Sequence, residues 1–430
     1  MRITYITAGA AGMYCGSCMH DNTLVAALTR LGLDVLLVPT YTPIRTDEPD
    51  VSQKRVFFGG INVYLQQKLS LFRYTPWFLD RLLDAPRLLR WVSRFAVRTQ
   101  AADLGDLTVS MLQGEHGRQR KEVDKLVRWL ERDVRPGLIN LTNALLSGMV
   151  EELKRRLNVP VLCTLQGDDI YLEALPEPHR QKCLDLVRQH CRGIDGFLST
   201  SHYYADFMSG YFDIPRESIH VVWPGLNLAG HGGPRPPADG RPFTIGYFAR
   251  ICPEKGLHVL AEAFRLLRQM PGAPPCRLRV SGWLGENNRP YFDAIRRSLN
   301  EAGLGQDFEH VESPGHDDKV RFLHSIDVLS VPTTYREPKG LYVLEALANG
   351  VPVVQPRHGS FPELVEATGG GLLVVPDDPA DLASALRRLM DDPAECEKLG
   401  GAGKAAVQRH FHAERMARET AAVYARYLGD

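Results

Sequence analysis

The stretch VPTTYREPKGLYVLEALANGVPVV, residues 331–354, decides the fold class. A buried run, DVLSVP, leads into it and ends in a polar turn. Gly340 marks a helix start, LYVLEALA is apolar through its length, and Asn349-Gly350 stops the helix before a second buried run. Strand, crossover helix and strand in this order form the repeating unit of a parallel sheet. The same stretch holds two acids, Glu337 on the turn and Glu345 about one turn inside the helix, on the stack that carries Leu341. An ionised Glu345 in so apolar a helix needs a hydrogen-bonding partner, because burying an unpaired charge is costly.

Outward from this unit the alternation repeats. Towards the N-terminus lie FTIGYF, a helix from Gly256 to Arg268, RLRVSG, a helix after Pro290, and FEHVE. Towards the C-terminus lies GLLVV. A second series opens the chain: RITYIT, a Gly/Ala-rich turn, a helical pattern through NTLVAALTRLG, then DVLLVP, GLINL, VPVLCTL and GFLST. Between the two series, ten of the nineteen residues from Pro224 to Pro242 are Gly or Pro, which reads as a linker.

The organisation expected is a first domain over 1–223, a linker over 224–242, a second domain over 243–411, and a C-terminal helix over 412–430 that packs back towards the first. Both domains are α/β, doubly wound parallel sheets of Rossmann-like type, which bind ligands at the carboxyl ends of their strands; two such domains are expected to face each other across a cleft. An irregular stretch from about Tyr41 to Arg135 interrupts the first series. Within it Gly59-Gly60 predicts a hairpin, and segment 86–98 a basic helix with Arg87, Arg90, Arg94 and Arg98 on one face.

A chain of 430 residues exceeds the roughly 250 to 300 over which one core usually grows. Lys plus Arg equals Asp plus Glu, so the net charge is zero, which excludes a protein built on non-specific nucleic-acid binding. The zero is a cancellation, since residues 51–100 carry nine Lys or Arg against two Asp or Glu. Helix 86–98 reads first as a surface helix with a solvated basic face; the same face would allow peripheral contact with an anionic membrane. The start lacks an apolar run behind basic residues and no run reaches the roughly 20 residues of a membrane span, so a cytoplasmic protein is expected.

The pattern Glu-x7-Glu followed by Ala-Leu-Ala-x-Gly-x-Pro-Val resembles the large retaining glycosyltransferase family 4 and its relatives, which have the GT-B fold. The resemblance implies that Glu337 contacts the hydroxyls of a donor sugar, that the amides of Gly340 and Leu341 bind a diphosphate, and that Glu345 binds a nucleotide ribose. FTIGYFARICPEKGLHVL is similar to the family's second motif and puts Arg250 and Lys255 where two cations hold the diphosphate. Gly282 in VSGWLGENN resembles the nucleotide loop, and Gly16-Ser17 the glycine turn near the phosphates. Lys339 departs from the family, which usually has Phe there.

The resemblance implies a nucleotide sugar as donor, a hydroxyl acceptor, no cofactor and no metal. GDD at 167–169 lacks the Asp-x-Asp of a metal site, so Asp168 or Asp169 reads as a helix cap, and Cys15-x-x-Cys18 reads as two ordinary thiols. Where the family has histidines at two strand ends, this sequence has Gln166 and the segment Asn140 to Asn143. Asn143, Gln166 and Asp168 are therefore the acceptor-side candidates. A nucleotide-sugar epimerase, a phosphorylase, or a silent sugar-nucleotide-binding protein on the same fold are the alternatives.

Overall fold

The computed structural model describes residues 1–9, 15–54, 56–58, 101–234, 240–313 and 315–429. The hairpin expected at Gly59-Gly60 and the basic helix expected over 86–98 lie outside the described residues. Contacts divide the chain into two compact units, Met1–Trp223 with Glu414–Asp430, and Pro224–Ala413.

Among its described residues the first unit has six parallel strands: β1 (Arg2–Thr7), β2 (Asp34–Pro39), β3 (Leu138–Leu141), β4 (Val161–Leu165), β5 (Gly196–Ser199) and β6 (Ile219–Val221). Their order is β2-β1-β3-β4-β5-β6. The inner strands β1, β3, β4 and β5 are short and buried along almost their whole length, which requires helices on both faces and explains their apolar composition. The helix Gly16–Arg30 follows β1 and begins earlier than the apolar periodicity of NTLVAAL indicates, because Cys18, His20, Asp21 and Asn22 are also buried. Phe57, Phe58, Phe197 and Phe212 fill the core between sheet and helices, each burial contributing about 1.5–3 kcal/mol.

The C-terminal helix Ala413–Leu428 completes this unit. Tyr427 Oη lies 2.8 Å from His220 Nε2, and a Cβ at Gly196 would stand 2.1 Å from that hydroxyl. Arg415 donates to the carbonyl of Trp223 at 2.9 Å. The sixth strand, Ile219–Val221, has no counterpart in the sequence reading; three residues are too few to show a period.

The second unit repeats the plan with β7 (Phe243–Phe248), β8 (Cys276–Ser281), β9 (Phe308–Val311), β10 (Val328–Leu329), β11 (Val353–Pro356) and β12 (Gly371–Val374). Their order is β12-β11-β10-β7-β8-β9, again all parallel. In each unit the first strand is flanked by strands reached in opposite directions. That is the switch point at which doubly wound sheets open a crevice at their carboxyl edge. No helix among the described residues is long and apolar enough to cross a membrane.

Candidate functional site

In the second unit the carboxyl ends of β7 and β10 bring Lys255 and Glu337 together. Lys255 ends a short 3-10 turn, Pro253–Lys255, after which Gly256 opens the helix Leu257–Gln269. Gly256 has φ +71°, and a Cβ there would lie 1.7 Å from the carbonyl oxygen of Pro332. Only glycine lets this turn lie against the strand that carries the Glu337 loop.

Lys255 Nζ donates to Glu337 Oε2 at 2.7 Å. Tyr335 and Tyr342 donate to the same oxygen at 2.7 and 3.1 Å, and Lys255 also donates to the Tyr335 hydroxyl. The ammonium stands over both rings, 4.9 and 5.0 Å from their centroids. Glu337 is buried, which by itself raises its pKa. The Lys255 charge, with hydrogen bonds from Lys255, Tyr335 and the Gly340 amide, outweighs burial and lowers it to about 2. The carboxylate is ionised throughout the physiological range. Burial, followed by the charge of Glu337, pushes both tyrosine hydroxyls well above their ordinary range.

Gly340 is the N-cap of the helix Leu341–Ala348, with φ +61°. Its amide donates to Glu337 Oε1 at 3.3 Å, so this N–H is already engaged by the carboxylate. Leu341 is the first helical residue. Glu345 is the fifth, and its partner is Lys319: Nζ donates to Oε1 at 2.7 Å, and both side chains are 6% exposed. Lys319 lies on the helix His316–His324. The sequence reading requires a partner for Glu345 without identifying this one. The available signal is HDDKVRFL, in which Lys319 shares the buried face with Val320 and Leu323.

Gly359 is a second residue that the sequence reading does not single out. At φ +60°, a Cβ there would lie 2.6 Å from both the nitrogen and the carbonyl oxygen of Glu337. The Ser360 amide next to it donates to that carbonyl at 2.8 Å. Arg250 is exposed on the turn after β7, and its carbonyl accepts from Tyr247 Oη at 2.9 Å. Gly282 follows β8 with φ +135°, and a Cβ would lie 1.8 Å from Ala249 O, so close backbone approach alone explains this glycine. Lys339 is buried, two residues beyond Glu337.

In the first unit Gly16 and Ser17 are the first two residues of their helix, Gly16 exposed and Ser17 half-buried. One turn on, Asp21 is fully buried at the ends of β1, β3 and β4. Thr7 donates to it at 2.9 Å, Thr142 at 2.6 Å, and Tyr5 and Gln166 each at 3.0 Å. Burial alone would raise its pKa; hydrogen bonds and charge from His20, then Thr142 and Gln166, bring the net shift downward.

Gln166 therefore has its amide nitrogen turned into this network. Asp168 is 2% exposed, and its carboxylate accepts the backbone N–H groups of Ala144 and Gln166. Its role is to tie the β3 and β4 ends together, and the N-cap position belongs to Gly167. Desolvation raises its pKa to about 6 despite those two bonds. Asn143 precedes the turn after β3, and its Oδ1 is buried with no hydrogen-bond partner among the described residues. Among the described residues no group of three or more His, Cys, Asp or Glu is arranged to hold a metal ion.

Two family models match the chain. One described as glycosyl transferase 4-like domain covers residues 22–225, and one described as glycosyl transferases group 1 covers residues 234–406. Glycogen synthase from Mycobacterium tuberculosis is 30% identical over 241 residues, 54% of each chain, so the chain spans about half the length of this curated relative. Sucrose-phosphate synthase from Thermosynechococcus elongatus superposes with a TM-score of 0.73 at 20% identity, over 100% of this chain and 99% of the other. The Anabaena protein HepE, in complex with UDP, superposes at 0.71 and 17% identity over 99% and 100%. These likenesses match the two parallel-sheet units to the GT-B fold. With a 4-like model on the first unit and a group 1 model on the second, the chain belongs to the glycosyltransferase family 4-like group.

Proposed function

We propose that the protein transfers a sugar from a nucleoside-diphosphate sugar to a hydroxyl acceptor with retention of anomeric configuration. The observation that carries this reading is the buried Lys255–Glu337 pair at the carboxyl edge of the second sheet, directly before the helix that opens at Gly340. A fixed cation, a fixed anion and a helix start offer one group for each part of such a donor. Lys255 and Arg250 serve the diphosphate, the first-turn amides at Leu341 add the positive end of the helix dipole, Glu337 orients the sugar hydroxyls, and Glu345 holds the ribose. HepE, solved with UDP and with UDP-glucose, supports a nucleotide sugar as the partner.

In the reaction the bond between the sugar C1 and the phosphate oxygen breaks, and its electron pair leaves with the nucleoside diphosphate. The acceptor oxygen bonds to C1 on the same face, and its proton passes to the departing phosphate oxygen. Positive groups already in place stabilise the charge that develops on the leaving group. In this reading Lys255 and Arg250 perform that task and no resident metal is needed. On the acceptor side, Gln166 and Asp168 hold the strand ends in position, and Asn143, with its buried Oδ1 unsatisfied, is the candidate for contact with the acceptor.

The test is incubation with UDP-, ADP- and GDP-sugars and a panel of hydroxyl acceptors, followed by proton NMR of the anomeric region. The expected result is free nucleoside diphosphate that accumulates only with acceptor, and a product with the donor's anomeric configuration. Isomerised donor without transfer, or an inverted product, would overturn the reading.

A further inference from the structure

We propose that Lys319 is the positioning residue for the nucleotide ribose: it acts through Glu345, fixing the carboxylate that the ribose meets. This rests on the assignment of Glu345 given above. Among its described residues the second unit holds two glutamate–lysine pairs of the same length, Glu337 with Lys255 and Glu345 with Lys319, each at 2.7 Å. In each the lysine comes from a different element than its glutamate. The first pair is tied to the diphosphate and sugar, whereas nothing in the reaction as described uses Lys319.

Several features argue that Lys319 has a positioning task. Both members of the pair are 6% exposed, and burying an ion pair costs desolvation that an apolar pair of the same size would avoid. Glu345 lies one helical turn, about 6 Å, beyond the first helical residue, where the diphosphate is bound in the proposed function. An unneutralised carboxylate at that range would repel the diphosphate; beside the Lys319 ammonium it keeps its acceptor oxygens with most of its field cancelled.

The backbone under it is pinned as well. Asn349, one turn on, donates to the Glu345 carbonyl at 2.9 Å, and its Oδ1 accepts the Gly232 amide at 3.1 Å. The helix is thus held at Asn349 and the side chain at Lys319, which leaves the carboxylate little freedom.

The test is isothermal titration of the full chain with UDP, ADP and GDP, each against its 2′,3′-dideoxy counterpart. The ratio of the two Kd values reports contact with the ribose hydroxyls and is unaffected by any fraction of unfolded protein. The wild type is expected to favour the ribonucleotide by roughly 10- to 100-fold, as befits hydrogen bonds to a charged group. Lys319→Met is expected to bring the ratio down to that of Glu345→Gln although Glu345 is intact, and Lys319→Arg to restore most of it. Where Lys319→Met folds poorly, Lys319→Gln provides the same comparison. A Lys319→Met or Lys319→Gln protein that keeps the wild-type ratio while Glu345→Gln loses it overturns the proposal. An unchanged ratio in Glu345→Gln instead overturns the ribose assignment itself.

Discussion

Lys255 Nζ lies 2.7 Å from Glu337 Oε2, although the two residues are 82 positions apart in the chain. Both side chains are largely buried, at 11% and 5% exposure, so each charge depends on the other. Breaking such a pair from one side leaves an uncompensated buried charge, at about 3–5 kcal/mol. Lys255→Ala is expected to lower turnover by about 10²- to 10³-fold, the scale of losing one preorganised charge-stabilising group. Glu337→Ala should destabilise more than the double variant Lys255→Met, Glu337→Leu, in which no charge is stranded. Steady-state kinetics and thermal melts of the three proteins check both statements; equal melting temperatures in all of them would contradict the pairing.

Gly359 constrains Glu337 through the backbone. Gly359→Ala adds a methyl at 2.6 Å from the Glu337 nitrogen and oxygen, at a φ of +60° that alanine disfavours. Turnover should fall about tenfold or more, because a small displacement of a positioned group is expensive in rate. Gly240→Ala is the control: it has a comparable φ of +72° with nothing among the described residues within 4 Å of the added carbon, and should keep full activity. A Gly359→Ala enzyme as active as Gly240→Ala would show that the Glu337 loop tolerates movement.

Much of the second unit is legible in its sequence because its elements are local. Apolar runs, the Lys-Gly helix opening and the two acids eight positions apart all lie within short windows. What escapes is pairing between distant elements. Lys319 meets Glu345, and Lys255 meets Glu337, only once the crossover helices are packed. In the first unit Asp21 shows the same limit: its partners Thr7, Thr142 and Gln166 come from three strand ends. The polar residues Gln166 and Asp168 are recognisable as strand-end groups, but whether they turn outward or brace the sheet depends on those neighbours.

Asp168 and Glu337 should give opposite pH responses. Burial holds the Asp168 pKa at about 6, above its ordinary 3.8, so between these values the native state keeps a proton that the unfolded chain has released. Its stabilisation is present below pH 3.8 and lost as the pH rises through 6, an effect on the order of 3 kcal/mol. Asp168→Asn removes this titration, so its melting temperature should gain on the wild type between about pH 4 and pH 7. The depressed Glu337 carboxyl contributes stability that is present above its ordinary 4.5 and lost as the pH falls towards 2. Glu337→Gln should therefore narrow its melting deficit in acid. Deficits that stay constant with pH would contradict both assignments.

Transfer measured after exhaustive treatment with EDTA should match the untreated rate, since in the proposed function Lys255 and Arg250 stabilise the leaving-group charge. A loss of activity restored by a divalent cation would show that these side chains do not suffice.

In the proposed function the second unit holds a nucleoside-diphosphate sugar through Lys255. Ligand that binds only the native state raises its melting temperature by mass action, so a thermal-shift panel of nucleotide sugars on wild type and Lys255→Ala tests it directly. At least one nucleotide sugar is expected to raise the wild-type melting temperature by several degrees, about 1–2 kcal/mol, and the shift is expected to be lost in folded Lys255→Ala. No shift with any nucleotide sugar, or an equal shift in both proteins, would contradict it.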